Sequence, residues 1–189
     1  IATLAWNTHR HLEAWYGITG IGGVYHTLNP RLFPEQLSYI INHAEDKFIM
    51  TDLTFVPILE AIEKDIPNVK GIIILTDKDH MPETSLKNVY CYEDIISAQT
   101  GAFKWVMVDE RDPCGLCYTS GTTGNPKGVM LSHYNVLNNA LVAVTHMRLT
   151  KSDRLCGPVP DYHCFGSILV NLCGLVSGAE IVIPFPYFD

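Results

Sequence analysis

The chain has 189 residues, of which 47% are hydrophobic and 17% are charged, a composition typical of one globular domain rather than a disordered segment. Its formal net charge of -7 argues against a general binder of nucleic acid or of an anionic membrane surface. The sequence contains no uninterrupted apolar run long enough to span a bilayer as a helix.

Strands and helices are predicted to alternate along the first part of the chain. In chain order the pattern predicts a strand at residues 1–4, a helix at about 8–18, a strand at 24–28, a helix at 34–44, a strand at 48–50, a helix at about 54–66 and a strand at 71–76. The last of these strands, GIIILT, is almost continuously β-branched, which is typical of a parallel strand covered on both faces. This alternation predicts an α/β fold with layered α/β/α sheets.

After residue 76 the pattern predicts linking segments first and then further strands and helices. Residues 77–87 and 97–113 are predicted as linking segments, with CYEDII between them forming a short helix or a surface turn. Strands are predicted at 116–118 and 129–131, and Ser132 is a suitable N-cap for the next helix. The apolar face predicted for that helix consists of Val136, Leu137, Ala140, Leu141 and Val144. A strand from residue 154, an apolar helix at about 167–176 and a strand at 179–184 complete the prediction.

The six cysteines are predicted to be structural. They are Cys91, Cys114, Cys117, Cys156, Cys164 and Cys173. One pair has CxxC spacing, but its second member lies in a predicted strand, and there is no second pair to complete a zinc site. We therefore interpret the cysteines as buried thiols in a reducing compartment, which favours a cytoplasmic location.

Both ends of the sequence suggest a piece of a longer chain. The first residues, IATLAWNTHRHLEAW, predict a strand running directly into a helix and lack the basic-then-apolar layout of a secretory signal. The last residues, VIPFPYFD, stop just after an apolar strand. A mitochondrial or peroxisomal signal in such a longer chain would lie outside this sequence, so those compartments stay open.

The stretch YTSGTTGNPKG, residues 118–128, combines glycines, hydroxyls and one lysine between two predicted strands. Gly121, Gly124 and Gly128 permit positive φ and close approach of a ligand, and successive exposed N–H groups can form an anion-binding nest. Lys127 adds a mobile positive charge suited to a phosphate group. Hydroxyl groups, which donate hydrogen bonds and can ligate Mg²⁺, come from Thr119, Ser120, Thr122 and Thr123. Together these features predict a cradle for a polyphosphate.

Two other interpretations of this stretch explain less of it. A simple hairpin turn accounts for Gly124 and Asn125 but not for the hydroxyls or the lysine. A Walker A loop needs Gly before its lysine and Ser or Thr after it, whereas Pro126 and Gly128 flank Lys127. The element predicted after the loop is also a strand and not a helix.

The longer stretch YTSGTTGNPKGVMLSHYN resembles the phosphate-loop signature of the adenylate-forming superfamily, the AMP-dependent synthetases and ligases. Residues 20–52 are similar to the upstream part of the same domain, and residues 158–184 to a segment that begins with a Pro-x-x-His pattern. The resemblance covers nearly all of the chain. Within the superfamily it is strongest to fatty acyl-CoA synthetases of the medium-chain type.

This resemblance implies that residues 1–189 are part of a large N-terminal AMP-binding domain, with the small C-terminal domain absent. It implies ATP-dependent activation of a carboxylic acid to acyl-AMP, followed by transfer of the acyl group to CoA. The implied ligands are ATP, Mg²⁺, CoA and a small-molecule carboxylic acid, which is expected to be a fatty acid. The implied phosphate-binding residues are Thr119, Ser120, Gly121, Thr122, Thr123, Gly124 and Lys127.

The resemblance also implies individual roles within the site. Thr119 and Lys127 are the implied catalytic residues, with Thr119 contacting Mg²⁺. His163 matches a histidine beside the acyl site, and Phe165 and Gly166 are expected to line or gate that pocket. Asp161 stands where relatives more often have an apolar residue, so the resemblance does not specify the shape of the pocket near this position.

The sequence leaves other functions open. An aryl-CoA ligase or a carrier-loading adenylation domain would share the phosphate loop and differ in acid or acceptor. A non-catalytic nucleotide-binding or acyl-binding fragment would keep the fold without turnover. The sequence specifies neither the acyl chain length nor the oligomeric state.

Overall fold

The computed structural model of the chain describes residues 1–119 and 125–186. The strands in this part are β1 (Ala2–Leu4), β2 (Tyr25–Thr27), β3 (Phe48–Thr51), β4 (Gly71–Ile74), β5 (Val89–Cys91), β6 (Pro113–Tyr118), β7 (Gly128–Ser132), β8 (Arg154–Cys156) and β9 (Glu180–Val182). The α-helices are α1 (His9–Gly20), α2 (Pro34–His43), α3 (Val56–Ile62), α4 (Tyr92–Ser97), α5 (His133–Met147) and α6 (Cys173–Ser177). A π-helical segment, Phe165–Leu172, leads directly into α6.

Seven of the described strands form one sheet in the order β5-β4-β3-β1-β2-β6-β7. Neighbouring strands are parallel except for β6 and β7, which are antiparallel. The strands β8 and β9 pair with each other in a separate parallel ribbon. Because β1, β2, β3 and β6 run in one direction, their carboxyl ends lie at one edge of the sheet.

Helices cover both faces of the sheet. Successive strand residues point to opposite sides, so apolar side chains lie on both faces and pack against helices there. Ile49 belongs to the hydrophobic core on one face, which α2 and α3 cover. Its neighbour Met50 belongs to the core on the other face, which α1 and α5 cover. Ile72 and Ile74 pack into the first core while Ile73 packs against the second. The predicted α/β class is therefore confirmed, and so is the burial of the GIIILT strand on both faces.

Local signals set the starts of two helices. Ser132 caps α5: its hydroxyl accepts a hydrogen bond from the N–H of Asn135 at 3.1 Å, and the Asn135 side chain accepts one from the Ser132 N–H at 3.2 Å. Pro34 occupies the first turn of α2, where its missing N–H costs no hydrogen bond. Both predicted starts are confirmed.

Several predicted details are wrong. The strand β5 lies outside the predicted strands. It has only three residues at the sheet edge and exposes Tyr90, so its apolar pattern is weak. By contrast, CYEDII was predicted as a short helix or a surface turn, and the helix alternative is confirmed, because α4 begins at Tyr92. The helix expected to begin at about residue 167 begins at Phe165, and its first eight residues have π-type hydrogen bonding.

The apolar face of α5 is narrower than predicted. Only Val136 and Ala140 are buried, whereas Leu137 and Leu141 are 46% and 44% exposed. The helix follows β7, the last strand in the sheet order, so it contacts the body of the domain along one stripe. Among the described residues, none of the helices combines the length and apolarity needed to cross a membrane.

A close approach between β2 and β6 depends on Gly115. Tyr25 is fully buried and lies opposite Gly115 in the register of the two strands. A Cβ atom on Gly115 would lie 2.3 Å from Cζ of Tyr25, nearer than any real contact. The ring of Tyr25 therefore occupies the space that a side chain would need.

We predict that Gly115→Val lowers the free energy of unfolding by about 1–3 kcal/mol, since the added carbons overpack the core against Tyr25. Urea unfolding of the protein measures this change. Gly17→Ala is the matched control, because a Cβ there meets no atom within 4 Å and alanine favours the helix. A wild-type midpoint for Gly115→Val would contradict the packing described.

Candidate functional site

The predicted phosphate loop begins at the carboxyl edge of the sheet, immediately after β6. A cavity of about 460 Å³ lies at this edge, and Thr119 and His163 both line it. The two residues are far apart in sequence, and the structure brings them together on one surface. The cavity also contacts Asn29, which follows β2.

The base of the loop is closed by the β6–β7 hairpin. Tyr118 pairs with Gly128, and the next residue, Thr119, donates its N–H to the carbonyl of Lys127 at 3.0 Å. The side chains of Thr119 and Lys127 are both exposed, so each is available to a ligand. Five predicted phosphate-binding residues lie outside the described part of the chain: Ser120, Gly121, Thr122, Thr123 and Gly124. Their role stays a prediction.

Tyr118 anchors the strand that leads into the loop. Its hydroxyl forms a 2.6 Å hydrogen bond with Nδ1 of His43, and its ring centroid lies 5.1 Å from that of His26. His26 in turn forms a 2.6 Å hydrogen bond through Nδ1 with buried Asp46. Burial raises the pKa of Tyr118, and the charge of Asp46 acts in the same direction. The neutral phenol therefore persists, and the last residue of β6 is fixed against α2.

Asn7 has a role at the site that the sequence analysis did not predict. Its side-chain N–H donates to the carbonyl of Val159 at 2.7 Å, and its Oδ1 accepts from the N–H of Asp161 at 2.8 Å. Asn7 is buried just beyond β1, so it fixes residues 157–163 against the carboxyl edge of the sheet. The only sequence signal for this role is a polar residue three positions after the end of the buried strand β1.

His163 is exposed at the end of the segment that Asn7 holds. The N–H of Phe165 donates to Nδ1 of His163 at 3.1 Å, so a neutral imidazole carries its proton on Nε2. That N–H is available to a ligand oxygen in the cavity. The resemblance implies that His163 lies beside the acyl site, and its place in the lining of the same cavity as Thr119 is compatible with that role.

Phe165 and Gly166 occupy different environments. Phe165 is 51% exposed and lines a second cavity. Gly166 is buried, and a Cβ there would lie 2.4 Å from the carbonyl oxygen of Pro160. Gly166 therefore lets the π-helical segment pack closely on the backbone before His163, and it is not among the residues that line either cavity.

The second cavity has a volume of about 620 Å³ and lies between α5 and the π-helical segment. Its apolar lining comes from Leu131, Val136, Phe165, Ile168 and Leu169. Leu131, His163 and Cys164 line both cavities, so the two spaces adjoin. The smaller cavity presents the hydroxyl of Thr119, the amide of Asn29 and the imidazole of His163, and the larger one adjoins it with a mainly apolar lining. This layout suits a ligand with a polar head and an aliphatic body.

The cysteines differ from the sequence interpretation. Cys156 is exposed, and Cys117 and Cys164 are only partly buried, so the prediction that all six are buried is wrong. The neighbour of Cys117 is Cys164, with its Sγ atom at 3.2 Å. Cys114, the CxxC partner in sequence, is fully buried in the core. The hydrogen bond between the two thiols lowers the pKa of Cys164 and raises that of Cys117, and burial adds to the latter effect.

Asp161 lies behind the cavities rather than in them. Its side chain is buried, and its Oδ2 atom has no hydrogen-bond partner. Burial raises the pKa of Asp161 to about 6, against a smaller lowering by a hydrogen bond from Asn171. The carboxyl group therefore belongs to the buried packing beneath the segment that carries His163, and it does not line either cavity.

Comparison with known proteins identifies the family. The model of the AMP-binding enzyme family matches residues 1–189. The chain belongs to this family. Membership of the adenylate-forming superfamily, expected from the loop and its flanking segments, is thereby confirmed.

Members of the AMP-binding family that resemble the chain are much longer than it. It is 41% identical to a medium-chain-fatty-acid–CoA ligase of Ectopseudomonas oleovorans and covers 35% of that protein with 100% of its own length. It is 39% identical to a 3-methylmercaptopropionyl-CoA ligase of Ruegeria pomeroyi, with 98% of the chain and 35% of the ligase aligned. The crystal structure of ATP-bound MatB from Rhodopseudomonas palustris superposes with a TM-score of 0.81 at 27% identity, over 100% of this chain and 35% of that one. The chain thus spans about a third of its relatives.

We predict that Asp161 makes stability fall as pH rises from about 4 to about 6. In this window the folded state keeps a proton that the unfolded state, with an ordinary pKa of 3.8, has lost. The loss of free energy of unfolding is at most about 3 kcal/mol. Asp161→Asn removes the titrating group, so its unfolding free energy should change less with pH.

Urea unfolding of the wild type and of Asp161→Asn between pH 4 and 7 tests this prediction. The quantity to compare is how steeply the free energy of unfolding falls with pH in each protein. Asp52 acts in the same direction in both proteins, because burial raises its pKa to about 6 as well. Parallel curves for wild type and Asp161→Asn would contradict the prediction.

Proposed function

We propose that the chain is part of the large N-terminal domain of an AMP-forming acyl-CoA synthetase. The proposed reaction joins ATP and a fatty acid to give acyl-AMP and pyrophosphate, after which the thiol of CoA displaces AMP to give the thioester. The observation that carries this proposal is the cavity lined by both Thr119 and His163, which adjoins the apolar cavity beside α5. Membership of the AMP-binding family supports it.

In the first step a carboxylate oxygen attacks the α-phosphorus of ATP, and the bond to pyrophosphate breaks. A fatty acid is already ionised near neutral pH, so this step needs no general base. Negative charge builds on the departing pyrophosphate, and the exposed ammonium group of Lys127 would stabilise it. His163 would orient the acid by donating its Nε2 proton to a carboxylate oxygen.

A divalent cation fits the donor chemistry at the start of the loop. The Thr119 hydroxyl is exposed, and the hydrogen bond to Lys127 fixes its backbone, so it can serve as an oxygen ligand for Mg²⁺. Such an ion offsets negative charge on the phosphates. Thr119 and Lys127 would then approach the polyphosphate from the two ends of the loop.

The acyl chain is proposed to occupy the 620 Å³ cavity. None of the described residues lining it carries a carboxylate, an ammonium or a guanidinium group, so it favours an aliphatic tail over a second charged group. Burial of each methylene contributes about 0.8 kcal/mol. The names of the similar ligases, one for a medium-chain fatty acid and one for 3-methylmercaptopropionate, support a short or medium aliphatic acid.

We predict that Lys127→Ala lowers acid-dependent pyrophosphate release about 100- to 1,000-fold, the usual cost of losing one group that stabilises transition-state charge. The measurement uses the full-length protein with ATP, Mg²⁺ and carboxylates from propionate to palmitate plus benzoate, each with and without CoA. Lys104→Ala is the matched control, because Lys104 is exposed and lines neither cavity.

Release that requires an aliphatic acid, yields thioester with CoA and collapses only in Lys127→Ala would support the proposal. If the folded protein binds ATP but shows no acid-dependent release of pyrophosphate, the proposal is overturned in favour of a non-catalytic binding domain. A preference for benzoate would instead indicate an aryl-CoA ligase.

A further inference from the structure

Two cysteines at the candidate site lie close enough to react with each other. The Sγ atoms of Cys117 and Cys164 are 3.2 Å apart, although 47 positions separate them in sequence. Cys117 lies near the end of β6, and Cys164 lies between His163 and the π-helical segment. Neither thiol has a part in the proposed acyl transfer.

Both thiols can be reached from the ligand site. Each is partly buried, and both line the 460 Å³ cavity that Thr119 and His163 share. Cys91, Cys114 and Cys173 are buried, and Cys156 lies exposed on β8 away from this cavity. A small oxidant that enters the site therefore meets this pair before the buried cysteines.

We propose that Cys117 and Cys164 form a peroxide-sensitive pair whose oxidation to a disulfide displaces residues that line the ligand site and so lowers activity. Hydrogen peroxide is the oxidant. The Cys164 thiolate attacks one peroxide oxygen, the O–O bond breaks, and hydroxide leaves with the formation of a sulfenic acid. The sulfur of Cys117 then displaces the sulfenic oxygen, which leaves as water once it has taken up a proton. In total two thiols lose two electrons and two protons, and one peroxide becomes two waters.

The bond would change the geometry of the site. A disulfide requires an S–S distance of about 2 Å, so the two sulfurs must approach by more than an ångström. Cys117 is held between β2 and β7 in the sheet, so the movement falls on Cys164. Its neighbours His163 and Phe165 would move with it, and both line the cavities. The predicted loss of activity rests on the proposed function, whereas formation of the bond does not.

The experiment treats the full-length protein with hydrogen peroxide, removes the excess with catalase and divides the sample. One part is alkylated, digested without reductant and analysed by mass spectrometry, where we expect a linked peptide pair joining Cys117 and Cys164. The other part is assayed for acid-dependent pyrophosphate release, where we expect a loss of about tenfold or more, because misplacement by about 1 Å at a site is that costly. Dithiothreitol should restore the rate.

Variants separate this proposal from general oxidative damage. Cys117→Ser and Cys164→Ser are each compared with their own untreated rates, and both should keep those rates through the peroxide treatment. Cys156→Ser, which removes an exposed thiol elsewhere, should lose activity as the wild type does. Oxidation of other cysteines without the 117–164 link would overturn the proposal, and a link that forms with no loss of rate would overturn its regulatory part. If the untreated protein releases no pyrophosphate, the proposed function fails, and the peptide map still tests the bond.

Discussion

The candidate site depends on two hydrogen bonds made by one buried side chain. Asn7, just beyond β1, binds the carbonyl of Val159 and the N–H of Asp161 and so holds a distant segment at the carboxyl edge of the sheet. His163 lies at the end of that segment, two residues after Asp161. Without these bonds, the backbone groups of Val159 and Asp161 would need other partners, and an unpaired buried group costs about 1–3 kcal/mol. The edge of the sheet and the histidine are thus coupled through Asn7.

The other half of the site depends on the packing of β6. Gly115 leaves room for the ring of Tyr25, which brings β6 beside β2, and Tyr118 fixes the end of the strand through His43. The antiparallel partner β7 then returns the chain so that Lys127 lies next to Thr119 in backbone hydrogen bonding. The strand pair therefore holds the exposed side chains of Thr119 and Lys127 near each other, an arrangement suited to binding phosphates whose charge changes during reaction.

Local sequence signals predicted the parts of the molecule that depend on neighbouring residues. Short-range patterns predicted the helix starts at Pro34 and Ser132, the strand that begins at Gly71 and the end of β6 at Tyr118. The contacts that assemble the site were not predictable in this way. Asn7 and Val159 are 152 residues apart, and Cys117 meets Cys164 rather than its CxxC partner. The exposure of Leu137 follows from the place of α5 beside the last strand, which no periodicity in the helix indicates.

The central claim is that the cavity at Thr119 and His163 and the apolar cavity beside α5 form one site for an acyl adenylate. The most direct test is a crystal structure of the full-length protein with a non-hydrolysable octanoyl sulfamoyl analogue of acyl-AMP. The account predicts that the alkyl chain lies between Val136 and Ile168, with the sulfamoyl group between Thr119 and His163. An analogue bound with its alkyl chain outside that cavity, leaving Val136 and Ile168 without contact, would contradict it.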